Sequence, residues 1–429
     1  MLIEYTVANF RSIADEVKLS MIPVRGNSKP YNIMSVDKND NIKKLLRSCT
    51  IYGANGSGKT NVILALSKMK SLVLHSKNQN AGQSFREYQP FILNSEYSDK
   101  PVQFGITFIK DNIIYKYEFS FTKTKITFEK LSYFKGKKVI EIFRREENKL
   151  EPFIDHDELQ SLFSHTGENV LFVSKANNEY KKFGPVFKWF NEVLSPIGPL
   201  SRISEDNTIE YMNQSEENKK KLIKFLQYAD FDIYNISGKI ERFDDPAIFD
   251  SFKTFMNTLG AKIDTNIISN KSSSQIEFGN SEIKSVRKRV DDTEVIVNFS
   301  KFESDGTQQF FKLASIWLQS ILESDKVLII DEFDILLHPD LQNFLLKVFH
   351  DPELIKTKSQ IIFTTHNTNI LASNFFRREQ IWFTEKNIDT KSTELYSLLE
   401  YEKRHDRSVE KAYLFGRYGG LPDLKYGKF

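Results

Sequence analysis

The sequence predicts an α/β fold in which a mostly parallel sheet carries a glycine-rich loop, with an antiparallel β-lobe and an inserted helical module. Three observations predict this fold. A strand-like segment at 49–52 leads through closely spaced glycines into helical spacing at 61–74. Apolar and polar side chains alternate through 104–143, as in antiparallel hairpins. Apolar residues then recur mostly at helical spacing through 155–231.

The chain begins with two predicted strands. Residues 2–7 alternate in polarity, and 16–20 form a second segment that would pair back on the first. Residues 23–40 contain prolines, a glycine and several Asn and Asp, so they predict a loop that returns the chain to the strand at 49–52.

The glycine-rich loop fits the pattern G-x-x-x-x-G-K-[ST]. Such a loop wraps nucleotide phosphates with backbone N–H groups, and glycine permits this approach because it has no Cβ. A strand before the loop and a helix after it together make an anion site. Lys59 would reach the β- and γ-phosphate oxygens, and Thr60 would offer its hydroxyl to Mg²⁺. The candidate nucleotide-binding residues here are Gly53, Asn55, Gly56, Gly58, Lys59 and Thr60.

The β-lobe follows, with turns expected at Asp111-Asn112 and Lys123-Thr124. The chain is therefore divided into three predicted segments. They are an N-terminal segment with the glycine loop and β-lobe (1–150), a mainly helical insertion (151–295) and a C-terminal segment that completes the sheet (296–429).

Two predicted buried strands of the C-terminal segment end in polar residues. Residues 326–332 form a short aliphatic run that ends in Asp331 and Glu332, and 360–366 form another that ends in His366. Because ligands bind at the carboxyl ends of such strands, these side chains are expected beside the glycine loop. Asp331 would hold Mg²⁺ through water, and Glu332 would polarise the attacking water. His366 would hydrogen-bond a γ-phosphate oxygen or that water.

Residues 303–307, Glu-Ser-Asp-Gly-Thr, precede a predicted helix. Ser304 or Asp305 is a natural N-cap, and capping alone would explain both residues. A helix N-terminus beside Gly306 would also suit a γ-phosphate, so the segment has two interpretations.

Composition limits the class of protein. Cys49 is the single cysteine, which excludes an internal disulfide framework and a cysteine-based zinc site, and indicates a reducing compartment such as the cytoplasm. The sequence shows no signal peptide and no apolar run long enough to span a membrane. Its 36 phenylalanines are interpreted as core residues.

The charge balance does not indicate a nucleic-acid binder, because 60 Lys and Arg oppose 57 Asp and Glu. Any contact with DNA must therefore be local. The densest basic cluster is interpreted as a solvated charged face, because it lacks interleaved aromatic residues. It consists of Lys284, Arg287, Lys288 and Arg289.

The ordered motifs resemble those of the ABC-type ATPases, the group that includes SMC, RecF, OLD and the abortive-infection ATP-binding proteins. The set is Asn9-Phe10-Arg11-Ser12, the glycine loop, 303–307, 327–332, Leu337-His338-Pro339 and Thr364-Thr365-His366. The form of 303–307 and the tail at 413–422 most resemble the RloA/AbiLi type of abortive-infection protein.

This resemblance implies an ABC-type P-loop NTPase head that binds ATP and Mg²⁺ in a head-to-head homodimer. Ser304 and Gly306 of one subunit would touch the γ-phosphate held by Lys59 of the other. The resemblance also implies that Asp331 is the Walker B metal ligand, Glu332 the catalytic glutamate and His366 the switch histidine. It places Asp334 in or near the D-loop and Arg11 near the nucleotide. The Mg²⁺-sensing glutamine would be Gln89, or else Gln83.

The resemblance also implies a partner. No coiled coil or Cys-x-x-Cys hook is present, and the form of 303–307 departs from the two-glycine signature of transporters. About sixty residues follow His366, too few for the Toprim nuclease domain of OLD proteins. A nuclease or toxin effector would then be a separate polypeptide.

Three functions fit the sequence. The first is an ATPase that senses a trigger or acts as a scaffold, and controls an effector in anti-phage defence as a homodimer or higher homo-oligomer. The second is a RecF-like DNA-binding ATPase of DNA repair. The third is a nucleotide-binding module with negligible hydrolysis, against which the adjacent Asp331 and Glu332 argue.

Overall fold

The computed structural model describes residues 1–26, 28–36, 41–199, 203–243, 278–335, 337–401 and 408–419. In chain order the strands are β1 (Leu2–Ala8), β2 (Val17–Ser20), β3 (Ile33–Ser35), β4 (Lys44–Leu46), β5 (Ser48–Gly53), β6 (Val102–Lys110), β7 (Ile113–Phe121), β8 (Ile126–Lys135), β9 (Lys138–Glu146), β10 (Lys149–Pro152), β11 (Leu194–Pro199), β12 (Asn235–Phe243), β13 (Phe278–Lys288), β14 (Glu294–Asn298), β15 (Val327–Asp331), β16 (Gln360–Thr364), β17 (Ile381–Lys386) and β18 (Thr393–Ser397).

The α-helices are α1 (Lys59–His75), α2 (Ser95–Ser98), α3 (His156–Phe163), α4 (Phe172–Ala176), α5 (Gly184–Lys188), α6 (Asp206–Gln214), α7 (Glu216–Tyr228), α8 (Phe299–Phe302), α9 (Asp305–Leu322), α10 (Pro339–His350), α11 (Asn369–Ala372) and α12 (Val409–Leu414). Within the described ranges, none of the helices combines the length and the apolar character needed to cross a membrane. The chain divides into two compact units, 1–202 with 319–429, and 203–318.

The first unit contains a seven-stranded antiparallel sheet in the order β10-β9-β8-β7-β6-β1-β2. The alternating pattern of 104–143 forms this sheet, and the predicted pairing of β1 with β2 is confirmed. The β6–β7 turn falls at Asp111 and Asn112, whose φ angles of 51° and 63° suit Asp and Asn. Aromatic side chains fill the core beneath the sheet, as where Phe108 stacks on Trp189 with ring centroids 4.3 Å apart. The predicted β-lobe is therefore confirmed.

The second sheet of this unit is six-stranded, in the order β11-β15-β16-β5-β17-β18. Its strands are parallel except β18, which runs antiparallel to β17. Every residue of β5, β15 and β16 is buried, because helices and loops cover both faces of a parallel sheet, and this explains the aliphatic runs in the sequence. These three strands are neighbours, so their carboxyl ends meet at one edge. The predicted α/β class is confirmed.

Two of the predicted divisions differ from the structure. The loop predicted at 23–40 contains the short strand β3, which pairs with β4. The helical insertion predicted at 151–295 does not coincide with the compact unit at 203–318. Residues 151–199 lie in the first unit, and β11 pairs in parallel with β15. Strand β11 was not predicted because it contains two prolines and a glycine, which are typical of loops. Proline is tolerated here because β11 lies at the edge of the sheet, where the missing N–H is not needed.

The second unit combines helices with a small sheet. Helices α6 and α7 precede an antiparallel sheet in the order β12-β13-β14. The region predicted as a mainly helical insertion therefore also contains strands in its described part. The last helix of the unit, α9, begins at Asp305, within the predicted Glu-Ser-Asp-Gly-Thr segment.

A buried histidine lies at the end of α10. His350 is 3% exposed, its Nδ1 lies 2.8 Å from the Leu346 carbonyl oxygen, and its Nε2 lies 2.8 Å from Ser48 Oγ. Because a carbonyl only accepts, Nδ1 carries the proton and Nε2 accepts from Ser48. Burial, the largest cause, lowers the pKa of His350 to about 4, so the ring is neutral at pH 7.

We expect His350 to make the fold acid-sensitive. With a pKa of about 4 in the folded chain and 6.5 as its ordinary value, the unfolded chain binds the extra proton between these pH values. Stability is therefore lost as the pH falls below 6.5, by about 2 kcal/mol between pH 7 and pH 5 from this group. Urea unfolding of the wild type and of His350→Gln at both pH values measures the difference. Equal pH dependence in the two proteins would refute this expectation.

Candidate functional site

The glycine-rich loop (53–60) connects β5 to α1 at the carboxyl edge of the parallel sheet. Strand β5 ends at Gly53, and α1 begins at Lys59 after a left-handed Gly58 with φ 108°. Gly53 has φ 156° and Gly56 has φ 78°, so all three glycines adopt backbone conformations that L side chains rarely adopt. A Cβ on Gly53 would overlap Thr384, and one on Gly58 would overlap Thr393. The loop therefore requires glycine at these positions.

Lys59 is held inside the loop. Its side chain is buried, and Nζ donates to the carbonyl oxygens of Gly53 at 2.7 Å and Ala54 at 3.1 Å. Burial lowers the pKa of Lys59, while Asp331, Asp334 and Glu332 oppose that shift. The amine and these carboxylates are therefore close enough to interact electrostatically.

Asp331 and Glu332 follow one another at the end of β15. The Thr364 hydroxyl donates to Asp331 Oδ1 at 2.6 Å, and the Glu332 backbone N–H donates to Thr364 Oγ1 at 2.7 Å. One threonine on β16 thus fixes both acids. Glu332 has φ 54°, a left-handed conformation that costs a non-glycine residue about 1–2 kcal/mol. Strain of this kind concentrates at functional sites.

His366 follows β16 and is anchored through its backbone. Asp334 Oδ2 accepts from the His366 N–H at 3.0 Å. Partial burial, followed by the nearby charge of Lys59, lowers the pKa of His366, whereas Asp334, Glu332 and Asp331 raise it. The net direction is downward, so the ring is neutral at pH 7 and one nitrogen is able to donate while the other accepts.

The glycine-rich loop, Glu332 and His366 line one pocket of about 180 Å³, whereas Gly53 and Asp331 are not among its lining residues. Its lining residues are Ala54, Asn55, Gly56, Gly58, Lys59, Thr60, Asn61, Glu332 and His366. The predicted loop, glutamate and histidine therefore meet in space, although they lie far apart in the sequence.

The residues fit a nucleotide with Mg²⁺. Backbone N–H groups of the glycine loop and a lysine suit phosphates. The Thr60 hydroxyl, which lines the pocket, and the Asp331 carboxylate at the end of β15 are oxygen ligands of the kind that Mg²⁺ prefers. Mg²⁺ is usually held by one or two carboxylates together with the substrate phosphates.

The structure places Arg11 beside the loop. Its Nη1 donates to Asn61 Oδ1 at 3.0 Å, and Asn61 lines the pocket. The Gln89 side chain donates instead to the Arg86 carbonyl at 3.3 Å, and Gln89 is not among the pocket's lining residues. Gln83 accepts from the Asn80 N–H at 3.1 Å. The contacts of Arg11 and of either glutamine with nucleotide stay predictions.

Ser304 and Gly306 lie in the second unit, at the start of α9. Ser304 Oγ accepts from the Thr307 N–H at 3.2 Å, and the Ser304 carbonyl accepts from the Gln308 N–H at 3.0 Å. Ser304 is thus the N-cap, the first of the two sequence-based interpretations. A contact of Ser304 or Gly306 with phosphate stays a prediction.

Four polar residues behind the loop were not predicted as site residues. Thr384 Oγ1 lies 2.6 Å from Ser57 Oγ, and Thr393 Oγ1 lies 2.8 Å from the Ser57 carbonyl oxygen. Ser12 Oγ lies 2.6 Å from Asn61 Nδ2 and 2.7 Å from Thr393 Oγ1. Asn61 follows the loop motif directly, and Ser12 belongs to the Asn-Phe-Arg-Ser motif. Nothing in the sequence near Thr384 or Thr393 indicates their contact with the loop.

Comparison with known proteins gives one family. Residues 50–372 match the family described as "AAA domain, putative AbiEii toxin, Type IV TA system". The solved SMC head domain from Thermotoga maritima is similar with a TM-score of 0.40 and 13% sequence identity, over 92% of this chain and 98% of that chain. No curated protein matches the sequence.

Proposed function

The chain belongs to the AAA-domain family whose description names a putative AbiEii toxin of a type IV toxin–antitoxin system, and on that premise we propose that its pocket binds ATP with Mg²⁺ and hydrolyses it to ADP and phosphate. A P-loop ATPase is the class that the family suggests. The observation that carries the proposal is that the glycine loop, Lys59, Glu332 and His366 line the same pocket.

Each side chain has a role that matches its position. The loop N–H groups and Lys59 hold the phosphates, and Thr60 and Asp331 hold Mg²⁺, which would neutralise charge on the phosphates. Glu332 accepts a proton from the attacking water as general base. His366, neutral at pH 7, donates to a γ-phosphate oxygen or orients that water.

We propose a homodimer or a higher homo-oligomer as the assembly. Ser304 and Gly306 of one copy would face the nucleotide held by the loop of the other. The Ser304 hydroxyl accepts from the Thr307 N–H at 3.2 Å and contacts Thr307 Oγ1 at 2.9 Å. With Thr307 as the donor in the second contact, the proton of the exposed Ser304 is open to a phosphate oxygen. Asp334 would lie where the two copies meet.

The proposed cellular role is control of an effector in anti-phage defence, in the cytoplasm, with a separate Toprim-type nuclease or other toxin as partner. The family description supports this setting, because it names a toxin–antitoxin system. ATP would favour a closed assembly and hydrolysis an open one, so the surfaces offered to the partner would change. Closeness to the RloA/AbiLi type stays part of the proposal; of its tail motif, residues 420–422 lie outside the described residues.

The alternative, a DNA-directed ATPase, has less support in the charge distribution. Arg287 pairs with the buried Glu303 at 2.7 Å, and Lys284 pairs with Glu282 at 3.0 Å. Lys288 lies 3.8 Å from Asp292. Since three of the four cations of the basic cluster face a carboxylate, little uncompensated charge remains for a phosphate backbone.

The test is the ATP-dependent assembly of the Glu332→Gln protein, expressed from its native operon and purified with ATP and Mg²⁺. Light scattering should show a dimer or larger assembly, and mass spectrometry should identify a nuclease or toxin encoded in the same operon. Lys59→Ala is the control, because it should lose both the nucleotide and the assembly. A monomer in ATP would refute the proposed dimer. Tight DNA binding that weakens with salt and with loss of Lys284 and Arg289 would favour the alternative.

A further inference from the structure

A continuous chain of hydrogen bonds runs behind the glycine loop. Arg11 Nη1 donates to Asn61 Oδ1 at 3.0 Å, and Asn61 Nδ2 donates to Ser12 Oγ at 2.6 Å. Ser12 Oγ lies 2.7 Å from Thr393 Oγ1, which lies 2.8 Å from the Ser57 carbonyl oxygen. The chain links the first strands, the start of α1 and the last strand of the sheet to one peptide group of the loop.

The chemistry of these groups fixes the direction of the hydrogen bonds. The Ser57 carbonyl only accepts, so the Thr393 hydroxyl is the donor in that contact. Thr393 Oγ1 is also the donor to Ser12 Oγ at 2.7 Å, and Ser12 Oγ accepts from Asn61 Nδ2 as well. The single Thr393 proton is therefore shared between the Ser57 carbonyl and Ser12 Oγ.

The Ser57 carbonyl belongs to the peptide group that also contains the Gly58 N–H. In a planar trans peptide, the C=O and the N–H point in opposite directions. Thr393 holds the carbonyl on the side away from the pocket, and Gly58 lines the pocket. We propose that Thr393 is a positioning residue that aims the Gly58 N–H at the nucleotide phosphates, with the Ser12 backbone carbonyl holding Thr393 in place through its N–H.

The surroundings make this contact difficult to replace. Thr393 is 4% exposed and Ser57 is 3% exposed, so water does not easily take the place of the hydroxyl. The Thr393 backbone N–H also donates to the Ser12 carbonyl at 2.7 Å, which fixes the start of β18 to the segment that contains Ser12. A Cβ on Gly58 would overlap Thr393, so the two residues are in direct contact. Thr384 fixes the Ser57 side chain from the neighbouring strand, with 2.6 Å between the two hydroxyl oxygens.

This inference rests on the proposed ATPase function and makes a specific kinetic prediction. Thr393→Val keeps the shape of the side chain but removes the hydroxyl, which frees the Ser57–Gly58 peptide to turn. An N–H that contacts phosphate before and during the reaction contributes uniform binding, so its loss raises KM and leaves kcat unchanged. We expect KM for ATP and the Kd for ADP to rise about tenfold, the equivalent of one well-oriented hydrogen bond.

The experiment compares Thr393→Val with two matched variants. Thr393→Ser keeps the hydroxyl and should bind ADP within about twofold of the wild type. Thr390→Val removes a threonine hydroxyl from the turn of the same hairpin, where Oγ1 contacts Ser392 Oγ at 2.8 Å, and should leave ADP binding unchanged. Titration calorimetry gives Kd, steady-state assays give KM and kcat, and thermal unfolding without nucleotide reports stability separately.

The outcomes separate the inference from the proposed function. If the wild type binds ADP and Thr393→Val binds it equally well, the positioning role is wrong and the ATPase proposal stands. If the wild type binds neither ADP nor ATP, the proposed function itself fails. If Thr393→Val does not fold, Thr393→Ala replaces it, because alanine also removes the donor to the Ser57 carbonyl and should raise the ADP Kd about tenfold. An unchanged Kd in Thr393→Ala would contradict the inference.

Discussion

Glu332→Gln should lower kcat for ATP hydrolysis at least about 100-fold while the protein still binds ATP, since a general base contributes roughly 10²–10⁴ to the rate. Glutamine has nearly the same shape but does not accept a proton at neutral pH. The substitution leaves intact the backbone N–H of residue 332, which donates to Thr364 at 2.7 Å, so the loop and Asp331 should keep their places. Steady-state release of phosphate and a filter-binding assay for ATP measure the two quantities.

Glu394→Gln is a matched control for this prediction. Glu394 lies on β18 and accepts from Asn387 Nδ2 at 2.7 Å in an exposed position outside the pocket. Its substitution should leave kcat unchanged. Turnover by Glu332→Gln at the wild-type rate would show that another group takes the proton. Loss of ATP binding together with turnover would assign Glu332 a part in binding rather than in the chemical step.

Arg145→Leu should destabilise the first unit by about 3–5 kcal/mol, the usual cost of removing one partner of a buried ion pair. Arg145 and Glu129 are both fully buried, and Arg145 Nη1 lies 3.5 Å from Glu129 Oε2. Glu129 also accepts from the Phe172 and Val173 N–H groups at 2.8 and 3.1 Å. Burial raises the pKa of Glu129, and Arg145 is the main opposing influence. Its loss leaves a carboxylate buried without a counter-ion.

Denaturant unfolding measures this cost, and the adjacent arginine provides the control. Arg144 pairs with Glu146 at 3.3 Å, and both side chains are substantially exposed, so Arg144→Leu should cost less than about 1 kcal/mol. Adding Glu129→Gln to Arg145→Leu should restore part of the stability, because a neutral amide is cheaper to bury than a charge. Equal stability of the Arg144 and Arg145 variants would contradict the role given to the buried pair.

Local sequence was sufficient for the centre of the site. The glycine loop depends on residues that follow one another, because each glycine adopts its left-handed or extended backbone within the loop itself. The acids at 331 and 332 and the histidine at 366 were recognisable because a fully buried strand needs an unbroken aliphatic run, and the polar residues that end it stand out. The alternation of apolar and polar residues that predicted the β-lobe is likewise visible within short segments of the sequence.

The sequence by itself therefore determined the α/β class, the antiparallel lobe and the phosphate-binding loop, because periodicity and glycine chemistry act over a few residues. Only the tertiary structure decided which distant groups support that loop. Thr393 reaches Ser57 across 336 positions, and β11 completes the sheet although its prolines resemble a break. Likewise, Arg287 belongs to a cation cluster in the sequence but to an ion pair with the buried Glu303 in the fold. Hydrogen bonds and ion pairs between remote segments leave no periodic pattern, since only packing brings their partners together.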